Sequence, residues 1–233
     1  MKISVIIPVY NECQTIEKLI NKVIQTNLDL QIIVIDDNST DGTREILQTK
    51  CYNLINELIL NDKNLGKGAA IKNAQKKING DCVIIQDADL EYDPNDYHNL
   101  IKPILDQSYK VVYGSRVLGK NRYQIKNFTS IIRILANHIL TIASNMVNSQ
   151  SLTDAHTCYK VFSADLFKSI YLEENGFNFC PEITTKISNL NIEIKEVPIN
   201  YQGRSYKDGK KIKFYDGIEA LYTIVKYKFL KNL

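Results

Sequence analysis

The chain has 233 residues, 44% hydrophobic and 24% charged, with ten Gly and five Pro. That suffices for one sizeable core and excludes low-complexity, collagen-like and disordered classes. A formal charge of +3 is too small for a nucleic-acid binder, and five scattered cysteines without a Cys-x-x-Cys pair exclude a disulfide framework or a zinc centre.

In chain order, residues 3–9 form a short β-rich run ended by turn residues, the pattern of a strand buried on both faces. Asn11 as N-cap, with Gln14 at N3, opens a predicted helix with Ile16, Leu19, Ile20, Val23 and Ile24 on one face. Residues 32–36 make a second buried strand, and Asn38-Ser39-Thr40-Asp41-Gly42 caps a helix of about ten residues. A third strand at 58–60 is followed by a Gly66-Lys67-Gly68 turn into a helix over 69–78. A fourth, 81–86, ends in Asp87-Ala88-Asp89. Pro94, Asn95 and Asp96 start the next helix, and 111–113 is a fifth strand. Past Asn127 the alternation stops: 128–147 is an amphipathic helix, 192–199 a strand, 202–213 a basic loop and 214–230 a helix with an apolar face. Neither repeat nor linker interrupts the chain, so 1–233 reads as a single domain whose halves are 1–116 and 117–233. Strand and helix in alternation predict an α/β fold around a parallel sheet. Met1-Lys2 leads straight into strand sequence and no apolar run reaches the roughly 18 residues that span a bilayer, so neither a signal peptide nor a membrane span is expected. With reduced thiols, this predicts a cytoplasmic protein.

Ligands of parallel sheets bind at the carboxyl ends of the strands. The polar clusters fall there: Tyr10-Asn11-Glu12, Asp36-Asp37, the 87–91 segment and Ser115-Arg116. Asp87 and Asp89, at i and i+2, can point to one side, where a hard divalent cation would remove their repulsion; Glu91 is a candidate third ligand. Of Asp36 and Asp37, one can accept an N–H from a nucleobase, or both can serve turns and helix caps. The Gly66-Lys67-Gly68 spacing is not that of a P-loop, although Lys67 could approach a phosphate at its helix start. His98, His138 and His156 have no metal-ligand spacing, and no hydrolase triad is visible. Residues 1–106 hold 11 Lys/Arg against 16 Asp/Glu, residues 107–233 hold 18 against 10, and none of the acids lies between Gln107 and Thr153. Carboxylates early would hold a cation; cations late would meet an anionic partner.

In order along the chain, Pro8-Val9-Tyr10-Asn11-Glu12, Asp36-Asp37-Asn38-Ser39-Thr40-Asp41-Gly42, Gln86-Asp87-Ala88-Asp89 and Gly114-Ser115-Arg116 resemble the inverting family-2 glycosyltransferases, closest to the dolichyl-phosphate mannose synthase-like branch. The likeness continues through Leu152 to Lys160, Phe177 to Ile183 and Val197 to Arg204. It implies a GT-A fold, with a mostly parallel central sheet flanked by helices, a GDP- or UDP-linked sugar donor and Mg²⁺ or Mn²⁺. By position, Pro8, Tyr10, Glu12 and Asp37 would hold the nucleoside, Asp87 and Asp89 would lie at the metal with Asp89 the direct ligand, Arg116 would lie by the donor or acceptor phosphates, and Arg204 would clamp phosphate. Glu91 stands where those synthases commonly have Gln, and Asp-Ala-His-Thr-Cys-Tyr-Lys replaces a Thr-Ser-Gly-Phe-Arg stretch. The expected reaction is sugar transfer to a polyprenyl phosphate at the cytoplasmic face of a membrane, the basic amphipathic C-terminal helices resting on an anionic leaflet or pairing two subunits. A saccharide hydroxyl is the alternative acceptor and would need a base, for which Asp154 is the candidate; Asp154 as a cap is equally open. A non-catalytic nucleotide-sugar binder is the remaining alternative.

Overall fold

The first strand, β1 (Ile3–Val9), pairs in parallel with β2 (Leu30–Asp36) on one side and β4 (Cys82–Ile85) on the other. The computed structural model describes residues 1–118, 128–204 and 214–230, leaving out the side chains of 128–133 and 214–216. β3 (Glu57–Leu60) lies outside β2. Beyond β4 come β6 (Lys160–Ser163), β5 (Val111–Ser115) and β7 (Ile194–Pro198), giving the order β3-β2-β1-β4-β6-β5-β7. Among the described strands only β6 runs antiparallel to its neighbours, β4 and β5. Val5, Ile6, Ile7, Ile33, Val34 and Ile84 have no exposed surface, as strands covered on both faces require.

Helices cover the sheet: α1 (Ile16–Ile24), α2 (Thr43–Thr49), α3 (Lys67–Gln75), α4 (Tyr97–Leu105), α5 (Phe128–Asn148), α6 (Ala164–Ser169), α7 (Phe179–Asn189) and α8 (Phe214–Val225), the last continued by a π-helical turn, Lys226–Leu230. Asn11 is not the cap expected of it. Its φ is 52°, its side chain accepts the Thr40 N–H at 2.8 Å, and α1 starts after Thr15. Ile24, at the rim of the predicted stripe, is 39% exposed. α2 has seven residues and follows Gly42, whose φ of 95° suits glycine.

β6, α6 and α7 were not expected: β6 has four residues and starts with Lys160, and α7 buries Glu182, Thr184 and Thr185 among its apolar residues. Polar residues in the core blur the hydrophobic period on which such readings depend. The basic loop predicted after Gln202 lies outside the described residues from 205 to 213, as do Lys120, Arg122 and Lys126. Among the described residues no helix is long and apolar enough to cross a membrane.

Candidate active site

β4 delivers Asp87-Ala88-Asp89, and Gln86 fixes where the strand stops. Gln86 is fully buried; its Oε1 accepts the hydroxyls of Tyr97 and Tyr159, each at 2.7 Å, and its Nε2 donates to the Asp87 carbonyl at 2.9 Å. The Asp87 carboxylate takes a hydrogen bond from Lys67 Nζ, which also lies 3.3 Å from Cys158 Sγ. Burial opposes the charge on Asp87, but Lys67 outweighs it and holds that carboxyl below its ordinary range. Asp89 is the opposite case: burial first, then the charges of Asp87 and Glu91, push it up to about 7. An ionised Asp89 is thus compensated in part only, by an arginine it shares with Glu12, and hard carboxylate oxygens suit a divalent ion such as Mg²⁺ or Mn²⁺. Glu91 does not join them as a third ligand. Its Oε2 accepts the Tyr201 hydroxyl and its Oε1 the Arg204 N–H, both at 2.6 Å, and among the described residues no three His, Cys, Asp or Glu gather as a metal centre.

That grip on Glu91 folds the chain after β7 over the site, where Gln202 N–H donates to the Glu91 carbonyl at 2.8 Å and Tyr92 bridges Tyr201. Arg204 thereby lands on residues far away in sequence. Its two terminal nitrogens bond the two oxygens of Glu12 at 2.9 Å each, and one also reaches Asp89 Oδ2 at 3.2 Å. Among the described residues the buried Nε of Arg204 has no hydrogen-bond partner, which leaves a donor for an anion. Glu12, Asp89, Glu91 and Arg204 are thus brought together, with the half-buried Pro8 and Tyr10 at the end of β1.

Arg116, just past β5, packs its guanidinium over the Tyr201 ring, 5.2 Å from the centroid. It bonds Asp154 through Nε at 2.6 Å and a terminal nitrogen at 2.7 Å, and Asn137 of α5 adds a bond at 3.1 Å. Asp154 has no exposed surface, and although burial opposes ionisation, Arg116 holds its carboxyl below the usual range. Asp154, the candidate base for a saccharide acceptor, has both oxygens committed to Arg116 and Asn137 and its proton affinity reduced, an arrangement that anchors Arg116. Glu196 of β7 fixes the segment by accepting the N–H groups of Thr153 at 2.7 Å and Asp154 at 2.9 Å. Sequence reasoning misses Glu196, which adjoins the Val197–Arg204 stretch, and gives no role to Gln86, although it stands first in the Gln86-Asp87-Ala88-Asp89 motif.

Three further expectations take a different form. Asp36 is fully buried against Arg44, with Nε at 2.6 Å from its Oδ2. Asp37 accepts from Asn61 Nδ2 at 2.7 Å, Leu65 N–H at 2.9 Å and Gly66 N–H at 2.7 Å. Both carboxylates tie down loops here. Lys67 addresses Asp87, and the start of α3 is covered by another segment: Ala69 N–H donates to the Asn175 carbonyl at 3.0 Å. A helix end already meeting carbonyl oxygens does not present its amides to a phosphate.

The sequence and the fold have known counterparts. Residues 4–171 match the family model described as glycosyl transferase family 2. The chain belongs to that family. The family-2 chain is 25% identical to a dolichyl-phosphate beta-glucosyltransferase of Trichomonas vaginalis over 242 residues, 96% of this chain and 72% of that protein. It is also 25% identical to a dolichol-phosphate mannosyltransferase of Pyrococcus furiosus, over 98% of this chain and 65% of that protein. Its fold matches glucosyl-3-phosphoglycerate synthase of Mycobacterium tuberculosis, solved with Mn²⁺, UDP and phosphoglyceric acid, at a TM-score of 0.72 and 17% identity over 98% of this chain and 78% of that one. This protein is therefore a glycosyltransferase with a GT-A fold.

Proposed function

We propose that this glycosyltransferase moves a sugar, with inversion, from a UDP- or GDP-linked donor to a polyprenyl phosphate at the cytoplasmic face of a membrane. The observation that carries the choice of acceptor is the Arg116–Asp154 pair, with distances of 2.6 and 2.7 Å and no exposure of Asp154. A sugar hydroxyl needs a base, and the carboxylate best placed to serve is locked to a cation. A phosphate, with a second pKa of about 6, arrives ionised and needs none. The relatives named for dolichyl phosphate support the same acceptor class.

In the reaction an acceptor phosphate oxygen attacks the anomeric carbon, the carbon–oxygen bond to the diphosphate breaks, and that electron pair leaves with the nucleoside diphosphate. Arg116, held flat between Asp154 and Tyr201, presents its remaining N–H donors to the incoming phosphate. Arg204, carrying the unpartnered Nε, closes on the departing diphosphate and leaves Glu12 as it does so. Asp89, beside Asp87, would hold the Mg²⁺ or Mn²⁺, which would offset the charge developing on the leaving group.

α5 and α8 pack against each other and leave an apolar outer face: Leu135, Ile139, Ile142 and Met146 on α5, Ile218 and Tyr222 on α8, each more than half exposed. Such a face suits the headgroup boundary of a bilayer, peripheral rather than spanning. Labelled UDP- and GDP-sugars, Mn²⁺ and polyprenyl phosphate test the reading. Product in the organic phase is expected; transfer solely to saccharides or to phosphoglycerate would overturn the lipid acceptor. Flotation with anionic vesicles is expected too, whereas a stable dimer that stays with the pellet would assign the face to a second copy.

A further inference from the structure

The two aspartates of the Asp87-Ala88-Asp89 turn face different cations. Asp89 shares the Arg204 guanidinium, 3.2 Å away, with Glu12, which holds the same group by two bonds of 2.9 Å. Asp87 has the ammonium of Lys67 to itself, in direct contact and largely shielded from solvent, the two side chains being 24% and 16% exposed. Cys158 Sγ, 3.3 Å from the same nitrogen, closes the other side.

Lys67 has little freedom to leave. It is the first residue of α3, and the glycines on either side are pressed against backbone: a Cβ on Gly66 would lie 2.5 Å from the Asn175 carbonyl oxygen, and one on Gly68 2.2 Å from that of Glu174. Lys72, one and a half turns on, donates to the Glu173 carbonyl at 2.8 Å and binds the same segment. The lysine is thus delivered to Asp87 by a rigid helix start, whereas Arg204 comes from a loop.

We propose that Lys67 is a positioning residue, a built-in cation that occupies Asp87, confines the divalent ion to Asp89 and keeps metal affinity low until a nucleoside diphosphate supplies further oxygens. The proposal rests on the reading of Asp89 as a metal ligand. A monovalent cation touching a carboxylate reduces its pull on a second cation, an effect of about 1–3 pKa units for close opposite charges. A lysine that merely supports the fold would, on removal, weaken metal binding or leave it alone; this one, on removal, strengthens it.

The test is a titration of Mn²⁺ followed by the electron paramagnetic resonance of the free ion, with and without UDP, on wild type, K67M, K67R, D89N and K67M/D87N. Without UDP, K67M should bind Mn²⁺ about tenfold more tightly than wild type, K67R should match wild type, and UDP should tighten wild type more than K67M. The double variant, with no buried charge left unpaired, should fold and return to wild-type affinity. Unchanged or weaker binding by K67M with an intact circular dichroism spectrum would overturn the proposal, as would a double variant as weak as D89N, which would make Asp87 itself a ligand. Failure of the underlying reading looks different: wild type would not bind Mn²⁺ even with UDP, or D89N would bind it as well as wild type does.

Discussion

Arg116 and Asp154 show how much depends on the partner a single side chain finds. Removing one member of a buried ion pair costs about 3–5 kcal/mol, because the other charge is left without compensation. R116M and D154L should each melt well below wild type, and R116M/D154L should lose less than the sum of the two, read by denaturant unfolding. D154N should lower turnover strongly yet keep the acid limb of the pH–rate profile; loss of that limb would restore Asp154 as a base. His156, whose Nε2 has no partner among the described residues, is pushed down to about 4 by burial and by Lys160. Its folded pKa lies below the unfolded value near 6.5, so the unfolded chain binds the extra proton in between. The corresponding stability is present above about pH 6.5 and is lost as the pH falls toward 4, by at most roughly 3 kcal/mol. Thermal melts at pH 7 and 4.5 should therefore converge more closely for H156Q than for wild type.

Among the helices and strands, α3 and β6 have consequences that reach the site. α3 begins under the carbonyls of Glu174 and Asn175, and the G68A methyl would have to displace backbone. Overpacking of that kind costs about 1–3 kcal/mol, roughly 2–10 °C in melting temperature for a domain of this size. G68A should also shift Lys67 and therefore change Mn²⁺ affinity, whereas the open, left-handed Gly42 should report on stability alone when replaced by alanine. β6, inserted antiparallel between β4 and β5, leads directly from the site loop. Its first residue, Lys160, is fully buried, donates to the carbonyls of Ala155 at 3.0 Å and Thr157 at 2.6 Å, and lies 4.0 Å from the Tyr113 ring centroid. One buried cation thus shapes the 155–158 loop that brings Cys158 to Lys67.

Seen from outside, the protein is asymmetric. The carboxyl ends of the strands gather its carboxylates and arginines, while α5 spans from Asn137, bonded to Asp154, to the exposed stripe of Leu135, Ile139, Ile142 and Met146 on its outer face. The helix that braces Asp154, the anchor of Arg116, is therefore the helix that would rest on lipid. I139E and I142E together should abolish flotation with anionic vesicles and reduce transfer to long polyprenyl phosphate. Transfer to a short water-soluble prenyl phosphate should persist; equal loss on both acceptors would separate the apolar face from membrane docking.

The first half of the fold was legible in the sequence because its strands are continuous apolar runs and its helices α1 and α4 carry clear apolar stripes, patterns set by short-range periodicity. Asp87, Asp89, Arg116 and Arg204 were legible as well, each beside a strand end or a glycine. Their partners were not. Glu12 with Arg204, 192 residues apart, Arg116 with Asp154 and Lys67 with Asp87 meet because β1, β4 and β5 share one sheet and the chain after β7 folds back over it. A carboxylate's role as base, ligand or anchor depends on which charge lies within a few ångströms, and that distance is a property of the packed chain, invisible in the order of its residues.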